Sequence, residues 1–410
     1  MPTERSSVLP LVTGASEWPF RGLDVPAGHT PVPFRDVVLK VHQRCNLACD
    51  YCYVYEMADQ SWRTKPVFMA EPVWRAAADR MGAFARTHRL DRMRLVLHGG
   101  EPLLTGMDRL ATLITGFRTA CDGVDLRVQM QTNGVLLDRA TLDALRDHRV
   151  EIGVSLDGAR ADHDRRRRHA NGRGSFDAVD RALRLLAGEE HRDSFAGLLC
   201  TIDPATDPIA TYEALLDYRP PTLDLLLPHA NWQTPPARPP GAGPTPYADW
   251  LIAVFDRWYR APRQEVGIRL FEDVLALLLG GTSRSEQVGL SPVAVVVVET
   301  DGAIEQVDSL KSAFPGACDT GLNVLTDSFD AALDHPGIVA RQIGLAALGD
   351  TCRACPSREI CGGGHYAHRY RAGRGFRNPS VYCADMLELI RHIRTCVIAD
   401  LERLPTHDPA

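Results

Sequence analysis

The sequence predicts an α/β protein, a partial (β/α)6 barrel followed by a small cysteine-rich domain. Three observations carry that expectation. Short β-branched runs alternate with Ala-, Leu- and Arg-rich stretches of helical period between residues 36 and 227, the pattern of parallel strands joined by crossover helices. Only six such units occur, short of the eight that close a barrel. Beyond them the chain turns to Pro-rich and then Cys-rich sequence.

The elements follow in order. Residues 1–34 are rich in Pro, Gly and Ser and read as an irregular lead-in. Strands are expected at 37–41, 93–97, 126–130, 150–156, 195–202 and 222–227, with helices at 71–89, 106–120, 140–147, 175–187 and 209–218 between them. These fill a barrel domain assigned to 35–235. Six prolines in 233–246 exclude a helix or a central strand, so that segment is a linker or strap. With helices expected at 247–259 and 268–279 it forms a bridging region, 236–290. A hairpin at 293–298 and 304–307, turning at Asp301-Gly302, opens the last domain, 291–410. A final helix is expected at 384–404.

The 46 Lys and Arg against 52 Asp and Glu give a net charge of −6, which excludes the global basic excess of a nucleic-acid coat. No apolar run approaches the roughly 20 residues that cross a bilayer, and the start lacks a basic-then-apolar signal pattern. The expectation is a soluble, cytoplasmic protein with no membrane and no nucleic-acid partner.

The 11 cysteines are an odd number in a chain without a signal, which argues for metal or redox chemistry over disulfides. Cys45, Cys49 and Cys52 directly follow the first strand, where α/β barrels collect their chemistry. Three thiolates cannot close a zinc site alone, but they can hold three irons of a cubane and leave the fourth open. A zinc knot completed by a distant ligand is the alternative. Cys352, Cys355, Cys361 and Cys383 form a second group whose soft donors suit zinc or an iron–sulfur cluster. Cys121, Cys200, Cys318 and Cys396 are scattered and read as packing or surface residues.

The Cys-x3-Cys-x2-Cys spacing has Tyr51 before its last cysteine. Gly99-Gly100-Glu101-Pro102 follows the second strand, Thr132-Asn133-Gly134 the third, and Ser155-Leu156-Asp157-Gly158 ends the fourth. In that order these motifs resemble the radical S-adenosylmethionine (SAM) superfamily. The resemblance implies that the first three cysteines hold a 4Fe–4S cluster whose open iron chelates SAM. It also implies that Tyr51, Gly99, Gly100, Glu101, Asn133, Ser155 and Arg167 surround that cofactor. Glu101 would meet its ammonium and Arg167 its carboxylate, the glycines allowing close backbone approach. Without the resemblance, the basic run from Arg165 to Arg168 reads as a solvated loop.

The C-terminal region resembles the SPASM extension, which usually carries two auxiliary 4Fe–4S clusters. Cys352, Cys355, Cys361 and Cys383 supply one full ligand set. His365 and Val307 stand where a second cluster would need cysteines, so one auxiliary 4Fe–4S cluster is expected. Asp308 falls where sulfatase-maturing relatives carry a base, and a carboxylate there can accept a proton; as a plain residue it caps a turn. The segments around Val41–Trp62 and Cys361–Asp385 resemble FxsB-like radical SAM/SPASM peptide maturases. That implies a three-residue cyclophane in a ribosomally made precursor peptide, joining an aromatic ring carbon to a Cβ, with an external electron donor of flavodoxin or ferredoxin type. Thioether formation, epimerisation, formylglycine formation and a non-catalytic peptide-binding role are the alternatives.

Overall fold

A run of branched apolar residues makes β1 (Asp36–His42) a strand almost wholly buried, as a strand covered on both faces must be. The computed structural model, which describes residues 25–403, places β1 inside a ten-stranded sheet. The other strands are β2 (Arg92–Gly99), β3 (Asp125–Thr132), β4 (Val150–Ser155), β5 (Phe195–Thr201), β6 (Thr222–Leu226), β7 (Gly267–Ile268), β8 (Val295–Val298), β9 (Ala303–Glu305) and β10 (Asp319–Asn323). Their order is β10-β9-β8-β1-β2-β3-β4-β5-β6-β7. From β1 to β7 all neighbours are parallel. The hairpin β8–β9 is antiparallel, yet β8 lies parallel to β1, with Asp36 opposite Val295. The C-terminal hairpin therefore continues the barrel's own sheet.

The crossovers carry α1 (Glu71–Thr87), α2 (Met107–Ala120), α3 (Arg139–Asp147), α4 (Arg160–Arg166), α5 (Phe176–Leu186) and α6 (Pro208–Leu216); α7 (Pro246–Tyr259) and α8 (Arg269–Leu278) follow. In α1 the buried set Trp74, Ala77, Ala78, Met81, Phe84 and Ala85 keeps helical spacing and packs one stripe on the sheet. Asp138 and Asp207 cap α3 and α6, each accepting from a backbone N–H at 2.8 Å. Parallel strands joined this way bring every strand's C-terminal end to one rim, and the predicted motifs all sit there.

Three elements differ from the sequence reading. β7 and β10 are short and lack an apolar alternation; pairing with a neighbour, rather than propensity, makes them strands. Of the basic run, read without the resemblance as a solvated loop, Arg165 and Arg166 end α4 and each reach Asp203 at 3.0 Å, while Arg167 and Arg168 follow it. Residues 1–24 of the lead-in and Leu404 of the final helix (Cys383–Leu401) lie outside the described residues. The proline-rich stretch has no regular structure, and its start is pinned to the C-terminal region: Trp232 Nε1 donates to Pro379 O at 2.8 Å and Ala372 N to Gln233 Oε1 at 3.1 Å. Among the described residues no helix is long and apolar enough to cross a membrane.

Candidate active site

Beyond β1 the chain folds into a tight loop, with Cys52 N donating to Cys49 O at 3.1 Å. Cys45, Cys49 and Cys52 line a cavity of about 240 Å³ at the strand rim. Tyr51, Gly99, Gly100, Asn133, Ser155 and Arg167 line it too, so of the residues expected around SAM only Glu101 is not part of its wall. Burial pushes the Cys45 thiol up to about 11 and Cys49 to about 12. They are protonated at neutral pH unless a metal draws the thiolates out.

Three thiols from one loop opening on a single cavity fit three corners of a cubane and leave the fourth open to a ligand in that cavity. In the second set, burial and the neighbouring Cys383 raise Cys361 to about 11, and burial, with Cys352 and Cys355, raises Cys383. Buried Arg369 lies beside it, anchored on Gly362 O and Gly364 O at 2.6 Å, and its charge favours thiolates at Cys352 and Cys361. That donor set fits one cubane.

The place where a second auxiliary cluster would need cysteines is filled differently. Lys311 is buried between Glu299 and Glu305, at 2.9 Å from each, and Lys65 reaches Glu305 at 2.8 Å. Cys318 is buried and donates to Val307 O at 3.4 Å. Cys121 and Cys200 are core residues.

At the end of β2 the glycines are sterically required. A Cβ on Gly99 would come within 2.2 Å of His42 O, and one on Gly100 within 1.9 Å of the Tyr55 hydroxyl and 2.5 Å of Arg44 O. Gly100→Ala is therefore expected to lose about 1–3 kcal/mol of stability and to displace the cysteine loop. Denaturation and iron content of anaerobically reconstituted protein check this; wild-type values in both would contradict it.

Glu101 was expected to meet the SAM ammonium. It is 0% exposed, and its carboxylate faces the chain: Oε1 accepts from Thr132 Oγ1 at 2.7 Å and Leu103 N at 3.1 Å, Oε2 from Asn133 N at 2.8 Å. Burial raises it to about 7, although these donors oppose the rise. Its direct work is to tie the β2 end to the β3 end, which positions Asn133. Asn133 in turn donates to Asn46 Oδ1 at 2.8 Å, next to Cys45.

Asp157 is a residue that motif reading quoted without giving it a role. It accepts from the Tyr51 hydroxyl, from Arg167 Nε at 2.9 Å and from Thr201 N at 3.1 Å. The Arg167 guanidinium lies 5.7 Å from the Tyr51 ring centre. This knot fixes the cationic wall of the cavity, and Asp157 neutralises part of the charge Arg167 presents.

A second cavity, of about 530 Å³, shares Tyr53, His98, Gln131, Leu199, Leu226, Leu227 and His229 with the first. Asp308 lines it and accepts from Lys40 Nζ and, at 3.1 Å, from the Tyr53 hydroxyl. Lys40 is 1% exposed and also contacts His98 Nδ1 at 3.2 Å. Burial works to raise Asp308, but the Lys40 charge overrides it and holds the carboxyl well below the usual range. Asp308 is thus at the cavity as expected, but as a weak base. Lys40 was not anticipated, though a lysine inside Val-Val-Leu-Lys-Val is the kind of buried charge that marks a site. Burial and Lys40 keep His98 neutral, at about 4.

Residues 39–203 match the Radical SAM superfamily. The chain is 28% identical over 356 residues to a serine-type anaerobic sulfatase-maturating enzyme of Klebsiella aerogenes, covering 84% of this chain and 82% of that one. It is 26% identical over 277 residues to a cysteine-type anaerobic sulfatase-maturating enzyme of Clostridium perfringens, with 64% and 71% covered. The solved structure of native anSMEcpe with bound AdoMet has the same fold, with a TM-score of 0.77 at 21% identity over 90% of this chain and 100% of that one. The chain is an enzyme whose cofactors are S-adenosylmethionine and iron–sulfur clusters.

Proposed function

We propose that the enzyme modifies a ribosomally made precursor peptide at a side-chain Cβ, and that the product is a carbon–carbon cross-link between that Cβ and a nearby aromatic ring carbon. One observation carries the reading. The cysteine-lined cavity shares Tyr53, His98 and His229 with a larger one beside it that has room for several side chains. Relatives named as sulfatase-maturating enzymes, and a solved relative described with a bound Cp18Cys peptide, support a peptide or protein substrate.

When bound at Cys45, Cys49 and Cys52, the 4Fe–4S cluster with SAM supplies a carbon radical able to take a hydrogen atom from carbon. The chain's residues do the rest. Arg167, held by Asp157 and stacked on Tyr51, offers a cation to a carboxylate, and Asn133 and Ser155 offer polar contacts beside it. Leu199, Leu226 and Leu227 give the shared wall of the two cavities an apolar face that excludes water. Rearomatising a ring that has gained a substituent releases a proton and an electron. Once the electron has left, that proton is strongly acidic, so a carboxylate of depressed basicity suffices, and Asp308 Oδ2 is its proposed acceptor. Cys352, Cys355, Cys361 and Cys383 would hold one auxiliary 4Fe–4S cluster, which would supply an electron acceptor; a flavodoxin- or ferredoxin-type donor is the proposed external partner.

The curated relatives favour a second reading, oxidation of a Ser or Cys side chain to an aldehyde. Anaerobic co-expression with the peptide encoded beside the enzyme separates the two. A cross-linked product is lighter by two hydrogen atoms, inert to hydroxylamine, and yields no fragments between the joined residues. A product that forms an oxime selects the aldehyde. A peptide of unchanged mass and stereochemistry, recovered while SAM is consumed, sinks both.

A further inference from the structure

We infer that His229, His365 and His368 form a binding site for one divalent transition-metal ion on the wall of the larger cavity, separate from both cysteine sets. The three side chains come from distant parts of the chain. His229 follows β6, while His365 precedes and His368 lies within the short 3-10 turn Tyr366–Arg369. In such a turn residues three apart sit one above the other, so the two rings share a side and meet His229 across the cavity. Each offers one donor atom, and the three lie within 4.8 Å of one another. Ring centres are 4.8, 5.5 and 5.8 Å apart.

A second observation points to a ligand. His229 Nδ1, His365 Nδ1 and His368 Nε2 are buried and have no hydrogen-bond partner. One orphaned imidazole nitrogen costs about 1–3 kcal/mol, and such groups are rare in native proteins. Three such imidazoles clustered together have a common remedy in a shared cation. The cradle is firm: the Tyr53 ring meets His229 edge-on at 4.7 Å and Tyr382 meets His368 at 4.9 Å.

Three imidazoles without a thiolate suit Zn²⁺ and its first-row neighbours. Metal–nitrogen bonds of about 2.0–2.1 Å ask only a modest closing of the present spacing. Three protein ligands leave a fourth position open to the cavity, as in catalytic rather than structural zinc sites. A carbonyl or carboxylate oxygen of a peptide is the chemistry that position takes, so the ion would anchor the substrate a short way from the cysteine-lined cavity.

The test reads metal, not turnover, so its outcome is independent of which peptide product forms. Anaerobically reconstituted holoenzyme is passed over chelating resin and dialysed against micromolar Zn²⁺, and zinc, iron and acid-labile sulfide are counted together. Wild type is expected to keep one zinc per chain with a nitrogen and oxygen shell by X-ray absorption. The His365→Ala/His368→Ala double variant is expected to keep none, with iron and sulfide unchanged. His392→Ala, in a different cluster with Asp256 and Cys396, is expected to bind as wild type. Should the double variant lose its iron through misfolding, His368→Gln preserves shape and is expected to weaken zinc binding at least tenfold. No zinc above background in wild type, equal zinc in the histidine variants, zinc bound through sulfur, or extra iron with matching sulfide would each overturn the site.

Discussion

Replacing Cys45, Cys49 and Cys52 together by alanine is expected to take peptide modification to background and to remove about half of the bound iron. Two separate donor sets are the reason for the half. Cys352, Cys355, Cys361 and Cys383 belong to the C-terminal region, and besides burial the thiols raising Cys352, Cys361 and Cys383 come from within that set. The variant should still fold. The first three cysteines are only partly buried, and their loop is held by backbone bonds such as Gln43 N to Val67 O at 2.7 Å and Glu56 N to Cys52 O at 2.8 Å. Loss of metal would therefore be read against an unchanged circular dichroism spectrum. Unchanged iron, or modification surviving in the triple variant, would mean that this cavity is not where the chemistry begins. A parallel Cys352→Ala/Cys355→Ala variant should keep the complementary half of the iron.

The strands β1 to β6 were legible because two strong periods alternate without interruption, and the observed ends fall within about two residues of the expected ones. β7 and β10 were not, since two or five residues of Gly, Ile, Asp, Thr and Asn carry no period to read. In the site, spacing alone announced both cysteine sets, because metal ligands from one loop must be close in sequence. The partners that hold those ligands come from other strand ends, and sequence order hides them. Glu101 was placed at the cofactor by the resemblance of its motif, which does not say what else holds a carboxylate in place. Here three donors from Leu103, Thr132 and Asn133 turn it inward. Lys40 and Asp308 illustrate the same limit, since only the parallel pairing of β1 with β2 and β8 brings the hairpin's carboxylate to a lysine in the first strand. The three histidines were invisible as a group for the same reason.

Lys40→Met is expected to lose about 3–5 kcal/mol, the cost of leaving a buried carboxylate without its countercharge. Lys40 is 1% and Asp308 16% exposed, so solvent screens the pair poorly. The sign with pH follows from the direction of the shift. In the wild type Asp308 is held below its ordinary value of about 3.9, so its stabilisation is fully present above that pH and is lost as pH falls below it. Without Lys40, burial acts against only the weaker influences of His98, Lys311 and the Tyr53 hydroxyl, and the carboxyl is expected to rise instead. Stability of the variant then declines as pH rises from about 4 towards the raised value, while the wild type keeps the contribution of this group over that range. Asp308→Asn removes the carboxylate but strands the lysine, so it too is expected to be less stable. The double variant strands neither, and its loss should be smaller than the sum of the singles by at least about 1 kcal/mol. Anaerobic denaturant titrations of all four proteins at pH 5 and 7.5, followed by tryptophan fluorescence, measure this directly. The same four proteins assayed for product separate structure from chemistry: if Asp308 accepts the proton, the double variant regains stability but not activity. Additive losses would refute the buried pair, and recovery of both stability and turnover in the double variant would remove Asp308 from the reaction.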